Sequence, residues 1–566
     1  MNFLIGVKSR VDQKVLIAEF FELFKTPWEF CQPGHSYDAV ITTTPEIPVV
    51  KTRLLIVYGA ASDSFDANLG IVAQTRGRGG LVSCREMLLP IYGELLTFNV
   101  GSKGNPFMMA GQAAAGLNLQ LAAQAIVRVG YDVFDELRCL LSEGQPPEHA
   151  PIPTLDLHIQ MLRNWILTAG IPLLEISPTP AGRDFIVCLT HDIDFAGIRR
   201  HFCDHTMWGF VYRATIGAIR NAVRGRLSLS NLLRCWVAVA SLPFVFVGWV
   251  DDFWDPFSWY LAVEKGLPAT YFLIPFKRRA GQKVAGPHPS RRAAAYDVED
   301  LPQWTKILLQ NKCELGVHGL DAWHSAEKGR EELDRITAVT GEPSAGIRMH
   351  WLLGDSKTPS TLENGGFAYD STWGYNETIG YRAGTNLVFR LMGTRRFLEL
   401  PLHIQDGALF FPDRLNLSET EAEQRCQSLV ENAKRSGGVL TLLWHDRSHA
   451  PERFWGGFYS KLVKSLRSLN VWFGTGAEVV NWFAERREVR FEVQQEPDGS
   501  SRISLRYEGK KIEPLLNLRI YRVRSGESSD FIDIPWDGKS AHQLEQFQKA
   551  IRAMHETPAH AESSIL

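Results

Sequence analysis

The chain has 566 residues, more than one ordinary hydrophobic core accommodates, so we expect two to four domains. Hydrophobic residues make up 45% and charged residues 22% of the sequence, a balance that excludes an intrinsically disordered chain. The formal net charge of −2 gives no overall field that would attract nucleic acid, so no nucleic-acid partner is expected. The eight cysteines include no Cys-x-x-Cys pair, which favours free thiols in a reducing compartment.

The N-terminal region is expected to form a separate α/β accessory domain over residues 1–140. Its first residues, Met1–Lys8, have neither the basic start nor the long apolar core of a secretory signal, which favours a cytoplasmic location. The segment 52–59 is strand-like, whereas the Ala- and Leu-rich segment 111–130 predicts a helix. Residues 143–153 contain four prolines and one glycine, which is typical of a linker.

Strand-like and helix-like segments alternate over residues 154–487. The helices are predicted at 326–339 and 419–436, the second with Ser418 as its N-cap and Glu421 in a capping box. This alternation predicts parallel strands in a barrel or an open sheet. The predicted strands are 186–194, 269–276, 313–319, 345–352, 397–404 and 439–446.

The segment 186–194 runs from apolar residues into a polar cluster, as a buried strand does when it ends at a site. Side chains alternate along a strand, so Asp192 and Asp194 are expected to share one face. Two carboxylates on one face repel unless a cation lies between them, and a divalent metal would meet that need. The alternative is that one aspartate caps a helix and the other is solvated.

Other reactive side chains also lie at the ends of predicted strands. His318 ends one strand and His324 lies in the loop after it, Arg348 lies on the next, and His445 ends a fourth. The carboxyl ends of parallel barrel strands meet at one edge, where (β/α)-barrel enzymes have their active sites. A single histidine near an apolar run is more often structural, but several placed alike favour a shared site.

The order Thr-x-Asp-x-Asp, His…His, Arg and Leu-x-x-His over about residues 185–485 resembles the polysaccharide deacetylases, carbohydrate esterase family 4, of the chitooligosaccharide-deacetylase-like type. The opening Leu-Thr-His-Asp-x-Asp resembles a branch of that family with an accessory N-terminal domain. The resemblance implies a distorted (β/α) barrel of about seven strands over 154–487.

The resemblance also implies residue roles. Asp192 matches the catalytic base, Arg348 the arginine that orients it, and His445 the general acid. Asp194 and His318 match metal ligands, with His324 as the candidate for the third. The family's two histidines are separated by three residues, whereas five separate His318 from His324, so an irregular loop would have to bring His324 back.

A site of this kind would hold a divalent metal, with zinc as the expected ion. It would hydrolyse an N-acetyl group on a saccharide or, as the less favoured interpretation, an O-acetyl group. Substrate contacts are expected from Asp370 in the fourth motif region and from aromatic rings. The aromatic candidates are Trp351, Trp373 and Trp444. Two alternatives remain open on these residues: a two-carboxylate glycoside hydrolase and an inactive carbohydrate-binding barrel.

Residues 196–250 form a predicted helical insertion with seven arginines and one acid, Asp204, followed by an uncharged run at 235–250. A buried hairpin that roofs the barrel and a peripheral membrane contact through 199–250 are both compatible with this pattern. A second basic loop contains Lys277, Arg278, Arg279, Lys283, Arg291 and Arg292. Together they favour an anionic partner, such as a lipid-linked glycan at the inner leaflet of the membrane.

The C-terminal region changes character after residue 487. Strand-like segments at 489–493 and 502–507 flank a turn at Asp498-Gly499, which predicts a hairpin within a small antiparallel β unit over 488–540. The tail over 556–566 is expected to be disordered.

Overall fold

The computed structural model divides the chain into two compact units. The first comprises Met1–Asp184, Ala383–Leu387 and Asn481–Leu566, and the second comprises Phe185–Arg382 and Val388–Val480. Arg226, Arg291, the Asp498-Gly499 turn and the tail 556–566, whose roles were predicted from the sequence, lie outside the described residues. The described residues are 3–46, 48, 52–85, 87–225, 227–287, 292–495, 501–522, 530–541, 543, 545–547 and 549–550.

The first unit contains a nine-stranded sheet in the order β2-β1-β3-β4-β9-β8-β6-β5-β7. The strands from β2 to β9 in that order are parallel, and the rest are antiparallel. The elements up to residue 184 are β1 Ile5–Lys8, α1 Lys14–Phe24, β2 Trp28–Phe30, β3 Ala39–Thr42, β4 Leu54–Tyr58, α2 Ser64–Asn68, β5 Ala73–Cys84, β6 Met87–Phe98, β7 Asn105–Ala110, β8 Ala113–Leu121, β9 Gln124–Val129, α3 Val133–Ser142, α4 Thr154–Thr168 and β10 Leu173–Ile176.

The helix predicted over 111–130 is wrong, because this segment forms the antiparallel strands β8 and β9. Leu117 and Leu119 alternate with the exposed Asn118 and Gln120, which is the two-residue period of a strand. Ala122 then turns the chain with a φ of 51°. Alanine and leucine favour helix by intrinsic propensity, but pairing with the neighbouring strands outweighs that preference.

The second unit is built on a parallel sheet, here called the central sheet, in the order β16-β15-β12-β11-β20-β19, with β21 also paired to β11. Its elements are β11 Phe185–Ile193, α5 His205–Tyr212, α6 Ala218–Val223, α7 Leu229–Phe246, α8 Phe257–Val263, β12 Thr270–Leu273, β13 Gln282–Lys283, β14 Gly286–Pro287, α9 Pro302–Gln310, β15 Glu314–Gly319, α10 Ala326–Thr340, β16 Ile347–Met349, α11 Thr358–Gly365, β17 Phe389–Arg390, β18 Leu398–Glu399, β19 Ile404–Gln405, α12 Asp406–Phe410, α13 Glu419–Ser436, β20 Val439–Leu443, α14 Gly456–Arg467 and β21 Val471–Phe473.

The predicted parallel α/β architecture is confirmed at this level. β11 is buried along its whole length and pairs in parallel with β12, β20 and β21. Beyond β16, single bridges continue from Ile347 through Asp370 to Glu399. This arrangement is compatible with a distorted barrel, whose strand ends all point toward one edge.

Two helices of this unit begin and end where their sequences indicate. Helix α13 begins after Ser418, whose side chain accepts from the backbone N–H of Glu421, and Glu421 bonds back to Ser418, so the predicted capping box is confirmed. Helix α10 is one residue longer than predicted. It ends at Gly341, whose φ of 75° a residue with a side chain would adopt at a cost.

Two predicted strands of this unit are much shorter in the structure. The segment 345–352 provides only β16, because its last residues turn into a 3₁₀ helix over His350–Leu352. The segment 397–404 is divided into β18 and β19. The first of these is interrupted at the sheet edge that carries the polar side chains of the candidate site.

The helical insertion leaves the central sheet after β11 and returns at Asp252. The backbone N–H groups of Ile198 and Arg199 each donate a 3.0 Å hydrogen bond to the Asp252 carboxylate, which ties the two ends together. A π-helical stretch, Arg213–Gly217, joins α5 to α6, and the pair packs on α7. By length and composition, α7 is the single candidate for a membrane-crossing helix within the described residues, and 22% of it is buried.

The C-terminal elements belong to the first unit from residue 481 onward. The predicted hairpin is present as the antiparallel pair β22–β23. Two further strands, β24 and β25, form an antiparallel sheet with β10, so this region pairs with a strand more than 300 residues earlier in the chain. The elements are α15 Gly476–Glu488, β22 Arg490–Gln495, β23 Ser501–Arg506, β24 Leu516–Arg522 and β25 Asp530–Trp536.

Candidate metal centre and active site

Neighbouring strands of the central sheet bring polar side chains to one edge. β11 carries Asp192 and ends next to Asp194, and β15 carries His318 close to its carboxyl end. β16 carries Arg348 in register with His318, and His350 lies directly after it. Because these strands are parallel, their carboxyl ends meet, as the sequence predicts.

Asp194, His318 and His350 form a cluster whose potential ligand atoms all lie within 4.8 Å of one another. The Nε2 atoms of His318 and His350 each lie 3.4 Å from Oδ1 of Asp194. That oxygen is buried, and no hydrogen bond satisfies it among the described residues. A carboxylate and two imidazoles around an unsatisfied buried oxygen fit a divalent cation of the zinc class.

The second ring nitrogen of His318 fixes which nitrogen faces the cluster. Nδ1–H donates a 3.0 Å hydrogen bond to the backbone carbonyl of Arg348, which leaves Nε2 directed at Asp194. A backbone carbonyl behind a histidine is a frequent support for metal-binding imidazoles. The ring of His350 lies beside that of His318, with 4.8 Å between their centroids.

The electrostatics of the cluster favour a deprotonated carboxylate. Burial alone would raise the pKa of Asp194, but the neighbouring imidazoles, first that of His318 and then those of His350 and His445, hold that pKa well below its usual range. Burial lowers the pKa of His350 to about 3, so this ring is neutral at neutral pH. Burial opposes protonation of His318, yet Asp192 and Asp194 raise its pKa, and a bound cation would displace that proton.

His350 takes the place that the sequence analysis gave to His324. The Nε2 of His324 lies 3.1 Å from Oδ1 of Asp321, and its ring lies edge-on to Trp323. His324 is therefore held in its own loop and is not a member of the cluster. The six-residue offset from His318 has this outcome because the loop does not fold back over the strand end.

Asp192 and Arg348 form a buried pair next to the cluster. The Arg348 Nη1 donates to Asp192 Oδ1 at 3.0 Å and to Thr190 Oγ1 at 2.7 Å. Its Nε and Nη2 donate to the carbonyl and the hydroxyl of Ser371. The other Asp192 oxygen, Oδ2, lies 3.9 Å from His318 Nε2. Arg348 thus holds one oxygen of Asp192 and leaves the second facing the cluster.

A glycine makes room for this guanidinium. Arg348 lies over the ring of Phe272 at 4.5 Å, which is cation–π distance. That ring occupies the space where a side chain at position 316 would stand, because a Cβ on Gly316 would come within 2.7 Å of it. The absence of a side chain at Gly316 therefore allows Phe272 to support the arginine that holds Asp192.

His445 is oriented by Asp406, a residue that the sequence analysis did not select. Nδ1–H of His445 donates a 2.6 Å hydrogen bond to Asp406 Oδ1, and its backbone N–H donates to Oδ2 at 2.8 Å. Burial opposes protonation, but Asp406 and the more distant Asp194 and Asp192 raise the pKa of His445 to about 9. At neutral pH the ring is therefore a cation with one N–H still available to a ligand.

The aromatic residues predicted to contact substrate differ in exposure. Trp444 is fully buried and stacks on Phe458, so it belongs to the core and does not line the site. Trp351 is 43% exposed, lies 5.2 Å from the His350 ring, and has the Arg292 guanidinium over it. Trp373 is partly buried, and its indole N–H has no partner among the described residues.

Asp370, also predicted to contact substrate, is buried and bonded within the protein. Its Oδ1 accepts from the backbone N–H of Thr372 at 3.1 Å and from the Thr372 hydroxyl. Glu399 lies beside it, and burial together with this neighbour raises the pKa of Glu399 well above its usual range. Burial raises the pKa of Asp370 to about 6. Both carboxylates are buried, so neither presents a surface that a sugar could contact.

The sequence analysis missed two residues, His350 and Asp406, whose positions follow from the geometry of the strands. His350 lies two positions after Arg348, so the period of a strand places both on the same face. Asp406 lies directly after β19, whose neighbour β20 is followed by His445. A search of the last residues of each predicted strand and the first residues beyond it, rather than a search for motif matches, would have found both.

Comparisons with known proteins give matches among solved structures alone. No protein-family model matches the sequence, and no curated protein matches it. A protein from Mycobacterium smegmatis named as a polysaccharide deacetylase is 15% identical over 55% of this chain and 95% of its own, with a TM-score of 0.33. Agd3, named as a novel carbohydrate deacetylase, is 8% identical over 95% of this chain and 98% of its own, with a TM-score of 0.36.

A third matching solved structure is named as an allantoinase and not as a deacetylase. The allantoinase Puue is 13% identical over 54% of this chain and 92% of its own, with a TM-score of 0.32. Identities and TM-scores this low do not establish which reaction the present chain performs. The chemistry must be inferred from the site itself.

Proposed function

We propose that this protein is a metal-dependent hydrolase that removes the acetyl group from an N-acetylated saccharide, with O-acetylated saccharides as the less favoured substrates. The observation that carries the proposal is the cluster of Asp194, His318 and His350 beside a held carboxylate, Asp192, together with a histidine, His445, whose pKa Asp406 and these carboxylates raise. A zinc-class ion held by the three ligands would polarise the acetyl carbonyl and make water a better nucleophile.

Asp192 is the candidate general base. Its Oδ1 is occupied by Arg348, so Oδ2 is the atom free to accept a proton from water at the cluster. Arg348 is itself held by Thr190 and Ser371, which fixes the carboxylate in position before substrate arrives. A positioned base of this kind typically contributes a factor of about a hundred or more to the rate.

His445 is the candidate general acid. Asp406 holds Nδ1–H, so Nε2–H is the proton available to the nitrogen that leaves as the amide bond breaks. The raised pKa keeps this proton in place at neutral pH. Departure of an amine requires such a proton, because an unprotonated amide nitrogen is a poor leaving group.

Trp351 and Arg292 are the candidate contacts for the sugar. The exposed indole lies beside His350, and the guanidinium above it adds positive charge at the same place. A flat aromatic face suits a sugar ring, and the arginine suits an anionic substituent on the glycan. An acidic or phosphorylated acetylated glycan is therefore the substrate class we favour.

The test is acetate release from a panel of N- and O-acetylated oligosaccharides, with wild type, Asp192→Asn and His324→Ala. Wild type should release acetate and expose free amines. Asp192→Asn should lose about a hundredfold in kcat while it retains metal. His324→Ala, which alters a histidine outside the cluster, should resemble wild type.

Other outcomes would select the alternatives. New reducing ends without acetate would favour a two-carboxylate glycoside hydrolase, which needs no metal. Sugar binding with bound metal, but with no product from any substrate, would favour an inactive carbohydrate-binding barrel. Either result would overturn the proposed deacetylation.

A further inference from the structure

The helical insertion has an unusually apolar surface. Among the described residues, 24 large hydrophobic side chains are exposed, and 14 of these lie between Phe202 and Val250. Soluble proteins expose single hydrophobic residues over their whole surface, but a concentration in one short segment marks an interaction site.

The exposed residues of the first helical stretch lie on one face. Trp208, Tyr212, Ile216, Ile219 and Val223 succeed one another at intervals of three or four residues, and each is 45–84% exposed. This spacing aligns side chains along one side of a continuous helix from α5 through α6. These five side chains lie opposite the buried face of the helix, so the helix does not need them for its packing against the rest of the protein.

Helix α7 repeats the arrangement. Leu229, Leu233, Trp236, Phe244 and Val247, the last just past its end, are 44–80% exposed and also fall at helical spacing. The buried residues of α7, among them Cys235 and Leu242, face a separate cluster shared with α5 and α6. Both helices therefore have two apolar sides, one packed inside the protein and one facing out.

The charges on this surface are predominantly positive. Residues 196–250 contain seven arginines and one acidic residue, Asp204, which bonds within the insertion to His201. Arg220, Arg224 and Arg234 are exposed, and no acidic side chain of the described residues pairs with them. An apolar face bordered by unpaired arginines, with tryptophan and tyrosine included, suits the interface of an anionic lipid membrane.

We propose that α5, α6 and α7 dock the protein on an anionic membrane surface and lie in the plane of the interface. A crossing of the bilayer fits less well, because α7 has 18 residues, contains Pro243, and keeps one side packed in the protein. A symmetric dimer through this face would place the arginines of one copy against those of the other, a like-charge contact that costs free energy.

The docking surface is joined to the candidate active site by hydrogen bonds. The backbone N–H groups of Phe195 and Ala196, where the insertion begins, donate to Asp446 Oδ2 at 2.6 and 3.0 Å. Asp446 is adjacent to His445, so membrane contact would hold the catalytic edge of the sheet close to molecules in the same membrane. The docking itself does not depend on the proposed reaction.

The experiment is co-sedimentation of the full chain with phosphatidylcholine vesicles, with and without phosphatidylglycerol, at low and high salt. Wild type should bind the anionic vesicles at low salt, bind neutral ones weakly, and dissociate as salt rises. The variant Arg220→Glu, Arg224→Glu, Arg234→Glu should bind at least about a hundredfold more weakly, since each lost basic residue contributes about 1 kcal/mol. Ile219→Gln with Val223→Gln should also weaken binding and reduce the blue shift of tryptophan fluorescence.

Matched control variants show whether weaker vesicle binding is specific to this surface or follows from any loss of charge or hydrophobicity. Arg425→Glu, Arg435→Glu, Arg467→Glu makes the same charge change on exposed positions of α13 and α14 and should leave binding nearly unchanged. Leu88→Gln with Leu121→Gln removes exposed hydrophobic residues elsewhere and should do likewise. Unchanged circular dichroism would show that the variants are folded.

Three results would overturn the proposal. The first is absence of wild-type binding to anionic vesicles at low salt, and the second is equal weakening by the test and control variants. The third is a lipid-free dimer, seen by light scattering, that the Arg220→Glu, Arg224→Glu, Arg234→Glu variant alters and vesicles do not compete with.

Discussion

Oδ1 of Asp194 lies 3.4 Å from Nε2 of His350 and the same distance from Nε2 of His318. One carboxylate oxygen is therefore approached by two imidazoles at the ends of two different strands. Neither contact is short enough to be a strong hydrogen bond, and the oxygen is buried. A cation in the space between them would provide a partner for the carboxylate oxygen and for both imidazole nitrogens.

We predict that His350, and not His324, is required for metal binding. Purified wild type should hold about one divalent ion per chain, measured by elemental analysis after removal of loosely bound metal. Asp194→Ala, His318→Ala and His350→Ala should each lose the ion, because a site with three protein ligands binds metal poorly once one ligand is removed. His324→Ala should keep it, and a metal-free His324→Ala beside a metal-replete His350→Ala would contradict the assignment.

This difference between His324 and His350 marks the limit of inference from the sequence. A histidine on a strand end is positioned by the period of the strand, so Asp194, His318 and Arg348 could be placed from the sequence alone. A histidine in a loop is positioned by contacts that the sequence does not reveal, in this case the 3.1 Å contact of His324 Nε2 with Asp321 Oδ1. The site could be predicted as far as the strands extend.

A second prediction concerns pH. Asp406→Asn removes the charge that raises the pKa of His445, so the alkaline limit of kcat/KM should move from about pH 9 toward the usual histidine range. The alkaline limit should fall by at least about one pH unit, because a fall of one unit requires the loss of only about 1.4 kcal/mol of interaction between Asp406 and His445. An alkaline limit unchanged in the variant would exclude His445 as the acid.

The same pair should affect stability with a defined sign. The folded pKa of His445 is raised, so its contribution is fully present below about pH 6.5 and is lost as pH rises through about 9. The pKa of Asp406 is lowered despite its burial, chiefly by His445, so its contribution is lost as pH falls below its usual range. The difference in Tm between wild type and Asp406→Asn should be largest between these limits, which a pH series of thermal melts would show.

A third prediction separates the side chain of Arg348 from its backbone. Arg348→Lys keeps a positive charge but loses the planar fork that contacts Thr190, Asp192 and Ser371, so kcat should fall by about a hundredfold. Metal should stay bound, because the backbone carbonyl at this position, and not the guanidinium, holds His318. Simultaneous loss of metal and activity would show instead that the substitution displaces the strand end.

A fourth prediction contrasts two tryptophans that the sequence analysis treated alike. Trp444→Ala should destabilise the fold by about 3–5 kcal/mol, because a fully buried indole leaves a large cavity. Trp351→Ala should leave Tm nearly unchanged and raise KM roughly fivefold, as expected for loss of about 1 kcal/mol of ring contact with substrate. Denaturant melts and steady-state kinetics on both variants would distinguish the two roles.

The fold was predictable to different extents in the two units. Helix α13 begins at its capping box, and the strands of the central sheet coincide with apolar runs, because in both cases local sequence and tertiary packing favour the same structure. Strands β8 and β9 were mistaken for a helix because their alanines and leucines favour one structure locally and their partners impose another. The pairing of β10 with β24 could not be foreseen, since a short strand carries no signal of so distant a partner.

The clasp of Asp252 on Ile198 and Arg199 has an evolutionary consequence. A segment whose first and last residues lie side by side can be lengthened, shortened or exchanged without moving the strands on either side of it. Asp192 and Asp194 precede the clasp, and the remaining catalytic candidates come after it. Selection could therefore change where the protein acts by replacing this one segment, without altering the candidate active site.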